Sequence, residues 1–339
     1  MAGGEAVERS FMSLPIPAIA AVLFCAALFV LLFQHLFPRP APWRLVGAAV
    51  VAGGVCTYVL SLVLRHLVGT GPASFDNLTT IPAAFTFAIL RVGLPEELTK
   101  AVAALLALAP FWRRVTPAQA FQAALYGAVG FAIVENHGYA TAFGKHAMLM
   151  AFGRGLLATL THTLLSMIFG LFLMRFVAHG WRQWHLLVTG YLAAAGAHAL
   201  YDTGLLPILA ETLRAMRAGD LANMNVSIVL YAAPYVVGGI ILVLVAGLWS
   251  LRRAVRRAAC DDLIVTEARH QAVVRRWRWS GTIVLSLGVL GLAAAIAWGL
   301  FADAPQQGKQ DLGAALISAF GFAGAIFAMI LGWVLRQKR

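Results

Sequence analysis

The sequence predicts an all-α protein: a polytopic transmembrane helix bundle of about nine spans, with one short re-entrant or interfacial helix. Two observations carry this expectation. The 339 residues are 61% hydrophobic and only 12% charged, whereas a soluble domain is nearer half apolar and a quarter charged. No soluble core of this length hides so much apolar surface, so the surplus must face lipid. The apolar residues are also gathered into runs of about 20, the length a helix needs to cross the hydrocarbon core. The runs are rich in Ala, Leu, Val and Gly, which disfavours barrel strands, and the same composition excludes disorder.

In chain order the spans are expected at residues 15–37, 44–68, 95–112, 117–139, 155–177, 185–208, 226–251, 280–302 and 312–335. The first is expected to be retained, because Glu5, Glu8 and Arg9 before it are not the basic start of a signal peptide. The apolar segment 81–92 is too short to cross and reads as the re-entrant or interfacial helix. Residues 147–154 read as a second surface piece. Three regions follow: residues 1–80 with two N-terminal spans, 81–210 as a membrane-embedded core, and 211–339 with C-terminal spans around a basic loop at 252–279.

The net charge of +12 does not indicate nucleic acid, because the basic residues lie in short stretches between apolar runs and no recognition motif accompanies them. Seventeen of the 26 Lys and Arg fall on one side of a nine-span topology and eight on the other, with Lys100 inside a span. Positive residues favour the cytoplasm. The N-terminus is therefore expected outside and the C-terminus inside, in a membrane of the bacterial inner-membrane type. The loop at 252–279, with Trp277 and Trp279 at its end, suits anionic lipid headgroups. Cys25, Cys56 and Cys260 show no paired spacing, so neither a disulfide framework nor a cysteine zinc site is expected.

Four acids stand within or at the edge of apolar helices: Glu96, Glu97, Glu135 and Asp202. An acid at a helix centre costs roughly 3 kcal/mol even on the mildest scale, so packing is a poor account of four. His162 and His198 join them. His198 and Asp202, four residues apart, share one helix face; so do Glu96 and Lys100, and Phe131 and Glu135. In the expected orientation Glu96, Glu97, Glu135, Asn136, His162, His198 and Asp202 all come to one depth in the outer leaflet. His35 and His66, near span ends, read as helix-packing residues. Pro95 suits a first helical turn, and the helix dipole favours Glu96 and Glu97 just after it.

The ordered set is Glu96-Glu97-x-x-Lys100, Phe131-x-x-x-Glu135-Asn136, His162 and His198-x-x-x-Asp202. It resembles the PrsW family of intramembrane proteases, within a wider superfamily that includes CAAX prenyl proteases and bacteriocin-immunity-type membrane proteins. The resemblance covers about residues 81–206. It implies an intramembrane endopeptidase that makes the first cut in a membrane-anchored regulator of the anti-sigma-factor kind, with Glu96, Glu97 and His162 central to activity. The CAAX branch usually has Arg one residue beyond this Lys, and His where Glu135 stands, so prenylated substrates are not expected.

The residues support hydrolysis independently of the resemblance. Peptide cleavage needs an activated water and a stabilised oxyanion. A nearby cation such as Lys100 keeps one of the paired acids ionised. One Glu with His162 then polarises water, while His198, oriented by Asp202, donates to the oxyanion or the leaving amine; Glu135 and Asn136 are expected as supporting residues of the site. The cofactor expectation is none, or one divalent metal such as zinc held among Glu135, His162, His198 and Asp202; HExxH is absent. An ion-coupled transporter, or a non-catalytic membrane protein of the same fold, are the alternative functions.

Overall fold

In a computed structural model of the chain, residues 16–68, 78, 80–142, 147–217 and 226–260 are described. Every element among them is helical: α1 (Ile16–Leu36), α2 (Trp43–Val68), α3 (Ile81–Phe87), a π turn (Ala88–Gly93), α4 (Leu94–Leu108), a 3-10 turn (Ala109–Arg114), α5 (Pro117–Ala142), α6 (Ala147–His179), a 3-10 turn (Trp181–Gln183), α7 (His185–Arg217) and α8 (Val226–Cys260). The chain is an integral membrane protein. Among the described residues, five stretches are long and apolar enough to cross a membrane: Ile16–Leu36, Trp43–Leu60, Pro117–Thr141, Ala147–His179 and Leu230–Arg257. Their large residues point outward, as lipid demands. Leu23, Phe24 and Leu31 of α1 are exposed while Ala18, Ala21 and Cys25 are buried, and Val51, Val55, Leu230, Val237 and Val245 are exposed likewise.

The structure redraws several expected boundaries. The interfacial helix at 81–92 and the span at 95–112 are not separate, because α3, the π turn and α4 form one uninterrupted helical run from Ile81 to Leu108. Pro95 lacks an N–H and its ring crowds the carbonyl four residues back, which ordinarily breaks or kinks a helix. Here the turn before it widens, and the Leu94 N–H reaches Ile89 O, five residues back. A π turn of this kind absorbs such a residue without ending the helix. The surface piece at 147–154 is the start of α6, and the seventh span runs on to Cys260, so Arg252, Arg253, Arg256 and Arg257 sit on helix α8 instead of in a loop. The spans expected at 280–302 and 312–335 lie outside the described residues, as does most of the loop at 252–279.

Two compact units divide the chain. In the first, which among the described residues takes in 16–40, 132–142, 147–160 and 255–260, Ala18, Ala21 and Val22 of α1 pack with Ala140 of α5 and Ala147 and Ala151 of α6. In the second (residues 41–131 and 161–254) α2 packs on α4, and α7 packs on α3, the π turn and α4. Small residues let these helices meet at backbone distance. A Cβ at Gly53 of α2 would strike the backbone of Gly127 on α5, and one at Gly130 of α5 would strike the backbone of Val50.

Candidate active site

The site lies in the second unit and begins on α4. Pro95 sits inside the continuous helical run, just past the π turn; Thr99 Oγ1 donates to its carbonyl at 2.8 Å, and Glu96 and Glu97 follow it in the first turn of α4. Glu97 and Lys100 are one turn apart and both buried. Lys100 Nζ donates to Glu97 Oε1 at 2.5 Å. The sequence spacing had linked Lys100 to Glu96; the ammonium instead pairs with the acid that faces inward. It also lies 3.2 Å from Nδ1 of His162 on α6 and 4.7 Å from the centre of the Phe131 ring. Phe131 in turn meets the His162 ring edge-on at 4.9 Å.

Helix α7 closes the site. His198 Nδ1 lies 2.8 Å from Glu97 Oε1, and its Nε2 lies 3.3 Å from Asp202 Oδ2 and 3.8 Å from Glu96 Oε2. The His162 and His198 rings are 5.8 Å apart. The two adjacent glutamates are therefore unequal. Glu97 is sealed, its side chain 1% exposed, and its Oε1 is shared between Lys100 and His198. Glu96 and Asp202 remain 19% and 15% exposed. Glu96 is thus the partly exposed acid of the pair, although its Oε2 is buried, whereas Glu97 is enclosed with Lys100 and His198. Tyr191, half-buried on the same face of α7, donates from its hydroxyl to the Leu94 carbonyl at 3.1 Å.

Six of the residues singled out on the sequence thus meet: Glu96, Glu97, Lys100, His162, His198 and Asp202. Glu135 and Asn136 belong to the first unit. There Glu135 Oε1 pairs with Arg154 at 3.0 Å, the Arg154 guanidinium stacks 3.6 Å over the Tyr139 ring, and Asn136 Nδ2 donates to Thr159 Oγ1 at 3.2 Å. Arg154, Tyr191 and Glu211 belong to no motif of the sequence. Glu211 is buried in α7 and takes both Nε (2.8 Å) and a terminal nitrogen (2.5 Å) of Arg214. The i,i+3 spacing of that pair was a usable signal.

One oxygen of Glu96 and one ring nitrogen each of His162 and His198 lie within 4.8 Å of one another. Two histidines and a carboxylate are a ligand set of open catalytic zinc sites. Glu96 enters this group in place of Glu135 and Asp202, which the sequence had offered as ligands. The set fits a divalent cation in donor type and number. His198 also fits in orientation, since Nδ1 faces a carboxylate, as metal-binding histidines commonly do. Lys100 works against it at His162, because an ammonium beside Nδ1 places that ring's own proton on Nε2.

A family model for PrsW family intramembrane metalloproteases matches residues 41–248, more than half of the chain. The chain belongs to the PrsW family. It is an intramembrane protease, and the resemblance seen in its motifs holds at the level of the family. The PrsW match takes in all three helices that carry the clustered site, and it gives the transporter reading no support. No curated protein and no solved structure matches the chain.

Proposed function

We propose that this protease makes the first cut in a single-span, membrane-anchored regulator of the anti-sigma-factor kind, near the outer face of the bacterial cytoplasmic membrane. The observation that carries the reading is the convergence of Glu96, Glu97, Lys100, His162, His198 and Asp202 from three helices. Glu96, the partly accessible carboxylate, takes a proton from water as the hydroxide adds to the peptide carbonyl. Lys100 donates to Nδ1 of His162, which leaves the His162 proton on Nε2 as a donor to the oxyanion. His198, held by Glu97 and Asp202, passes a proton to the leaving nitrogen as the C–N bond breaks. Acid–base help of this kind is worth about 10²–10⁴-fold in rate.

A second reading is favoured by the proximity of Glu96, His162 and His198. These three would hold a divalent ion, and a bound ion supplies a Lewis acid and a more acidic water. Glu97 orients His198 through Nδ1 under either reading, and Asp202 does so through Nε2 in the metal-free one.

The proposed topology has nine spans, with the N-terminus outside and the C-terminus in the cytoplasm. The Ile81–Leu108 run makes one crossing, so the charge asymmetry that sets the orientation is unaffected. The proposed partners of the arginines at the end of α8, and of the basic residues between 261 and 279, are anionic headgroups.

The test is cleavage of a single-span reporter by the purified protein in lipid vesicles. Wild type is expected to cut it, Glu96→Gln and His162→Ala to lose at least about 10²-fold, and His35→Ala, on an exposed face of α1, to behave as wild type. Near-normal cleavage by His162→Ala overturns the mechanism.

A further inference from the structure

Between Ala88 and Gly93 the helix holds one residue more per turn than an α-helix would. Each extra residue rotates everything after it by about 100° about the axis. The first residues after the turn are Leu94, Pro95, Glu96 and Glu97, so the turn sets which way the glutamates face. Helix α7 rests directly on it. A Cβ at Gly93 would lie 2.7 Å from the Ala195 carbonyl oxygen and 3.4 Å from the Ala199 nitrogen, so only glycine admits this approach. Tyr191, Ala195, His198 and Asp202 follow one another on α7 at spacings of four, three and four, one face of the helix. Along that face Tyr191 holds the Leu94 carbonyl at 3.1 Å, Ala195 meets Gly93, and His198 reaches Glu97 at 2.8 Å. The Leu94 carbonyl is the last one before Pro95, where the wide turn gives way to regular helix.

We infer that Tyr191 is a positioning residue for the reaction: its hydroxyl clamps the exit of the π turn and so fixes the rotation of Glu96 and Glu97 against His198. The inference rests on the proteolytic reading above for its kinetic arm only. In Tyr191→Phe the ring stays and one hydrogen bond is lost. On the single-span reporter, kcat is expected to fall roughly three- to ten-fold, the value of one such bond, with KM within two-fold and the unfolding midpoint lowered by no more than about 3 °C. Hydrogen–deuterium exchange is expected to speed up across residues 88–99 and to stay as in wild type across 118–129. Deletion of Leu90, which returns the turn to α periodicity, is expected to abolish cleavage while helix content is kept. Tyr191→Phe with wild-type kcat overturns the inference, and so does a lowered unfolding midpoint with kcat unchanged. Should wild type cut no reporter, the proteolytic mechanism fails separately and the exchange measurement decides alone: unaltered exchange over 88–99 overturns the clamp.

Discussion

Glu97→Gln tests the inequality of the two glutamates. Glutamine keeps the oxygen that Lys100 and His198 share and removes the charge. Lys100, 2% exposed, is then a buried cation whose counter-charge has gone. Breaking a buried pair by removing one partner costs about 3–5 kcal/mol, a large share of the roughly 5–15 kcal/mol by which a protein is stable. The unfolding midpoint is expected to fall by on the order of 10 °C. Adding Lys100→Met takes away the stranded cation and should restore at least half of the loss, because an apolar side chain of similar volume replaces a charge that has no partner. Glu96→Gln, at a side chain 19% exposed, should cost less than about 1 kcal/mol, because a partly hydrated carboxylate has less to lose. Unfolding is followed by circular dichroism in detergent micelles, alongside reporter cleavage. Both Glu→Gln variants should lose cleavage, and only Glu97→Gln should lose stability. If the two unfold at the same temperature, or if Lys100→Met deepens the loss, Glu97 is not the buried counter-ion of Lys100 and the assignment of roles fails.

Chelation separates the two readings: where Glu96 activates water alone, activity should survive extensive chelation and elemental analysis should find well under one zinc per chain. Loss of cleavage on chelation, with about one zinc per chain and recovery on adding it back, would establish Glu96, His162 and His198 as ligands instead. For topology, with the three native cysteines replaced by alanine, Arg214→Cys should react with an impermeant maleimide from outside, and Arg182→Cys only after permeabilisation. The opposite labelling would put the site and its substrates on the cytoplasmic side.

Much of the site was legible because helix periodicity is local. His198 and Asp202 are four residues apart and must share a face whatever surrounds them, and they do face one carboxylate cluster. Intramembrane acids and histidines stand out against apolar helices because their burial is unfavourable without partners. Those signals marked Glu96, Glu97, Lys100, His162, His198 and Asp202, and their order carried the resemblance to the PrsW family. Periodicity also misled. The i,i+4 rule assigned Lys100 to Glu96, while the i,i+3 geometry to Glu97 prevails because the inward side of α4 is closed by His162 and His198.

Composition and apolar run length alone determined that the chain is helical and lives in a membrane, since a bilayer admits few other ways to satisfy the backbone. Local spacing then determined which polar residues could act together. Three things were left to tertiary structure: which of two adjacent glutamates is sealed, where Glu135 finds its cation, and whether Pro95 begins a helix or sits inside one. Neighbouring residues on a helix point about 100° apart, so their exposure depends on how the helix is rotated. That rotation is set by the widened turn before Pro95 and by the face of α7 that packs on Gly93, more than a hundred residues further along the chain.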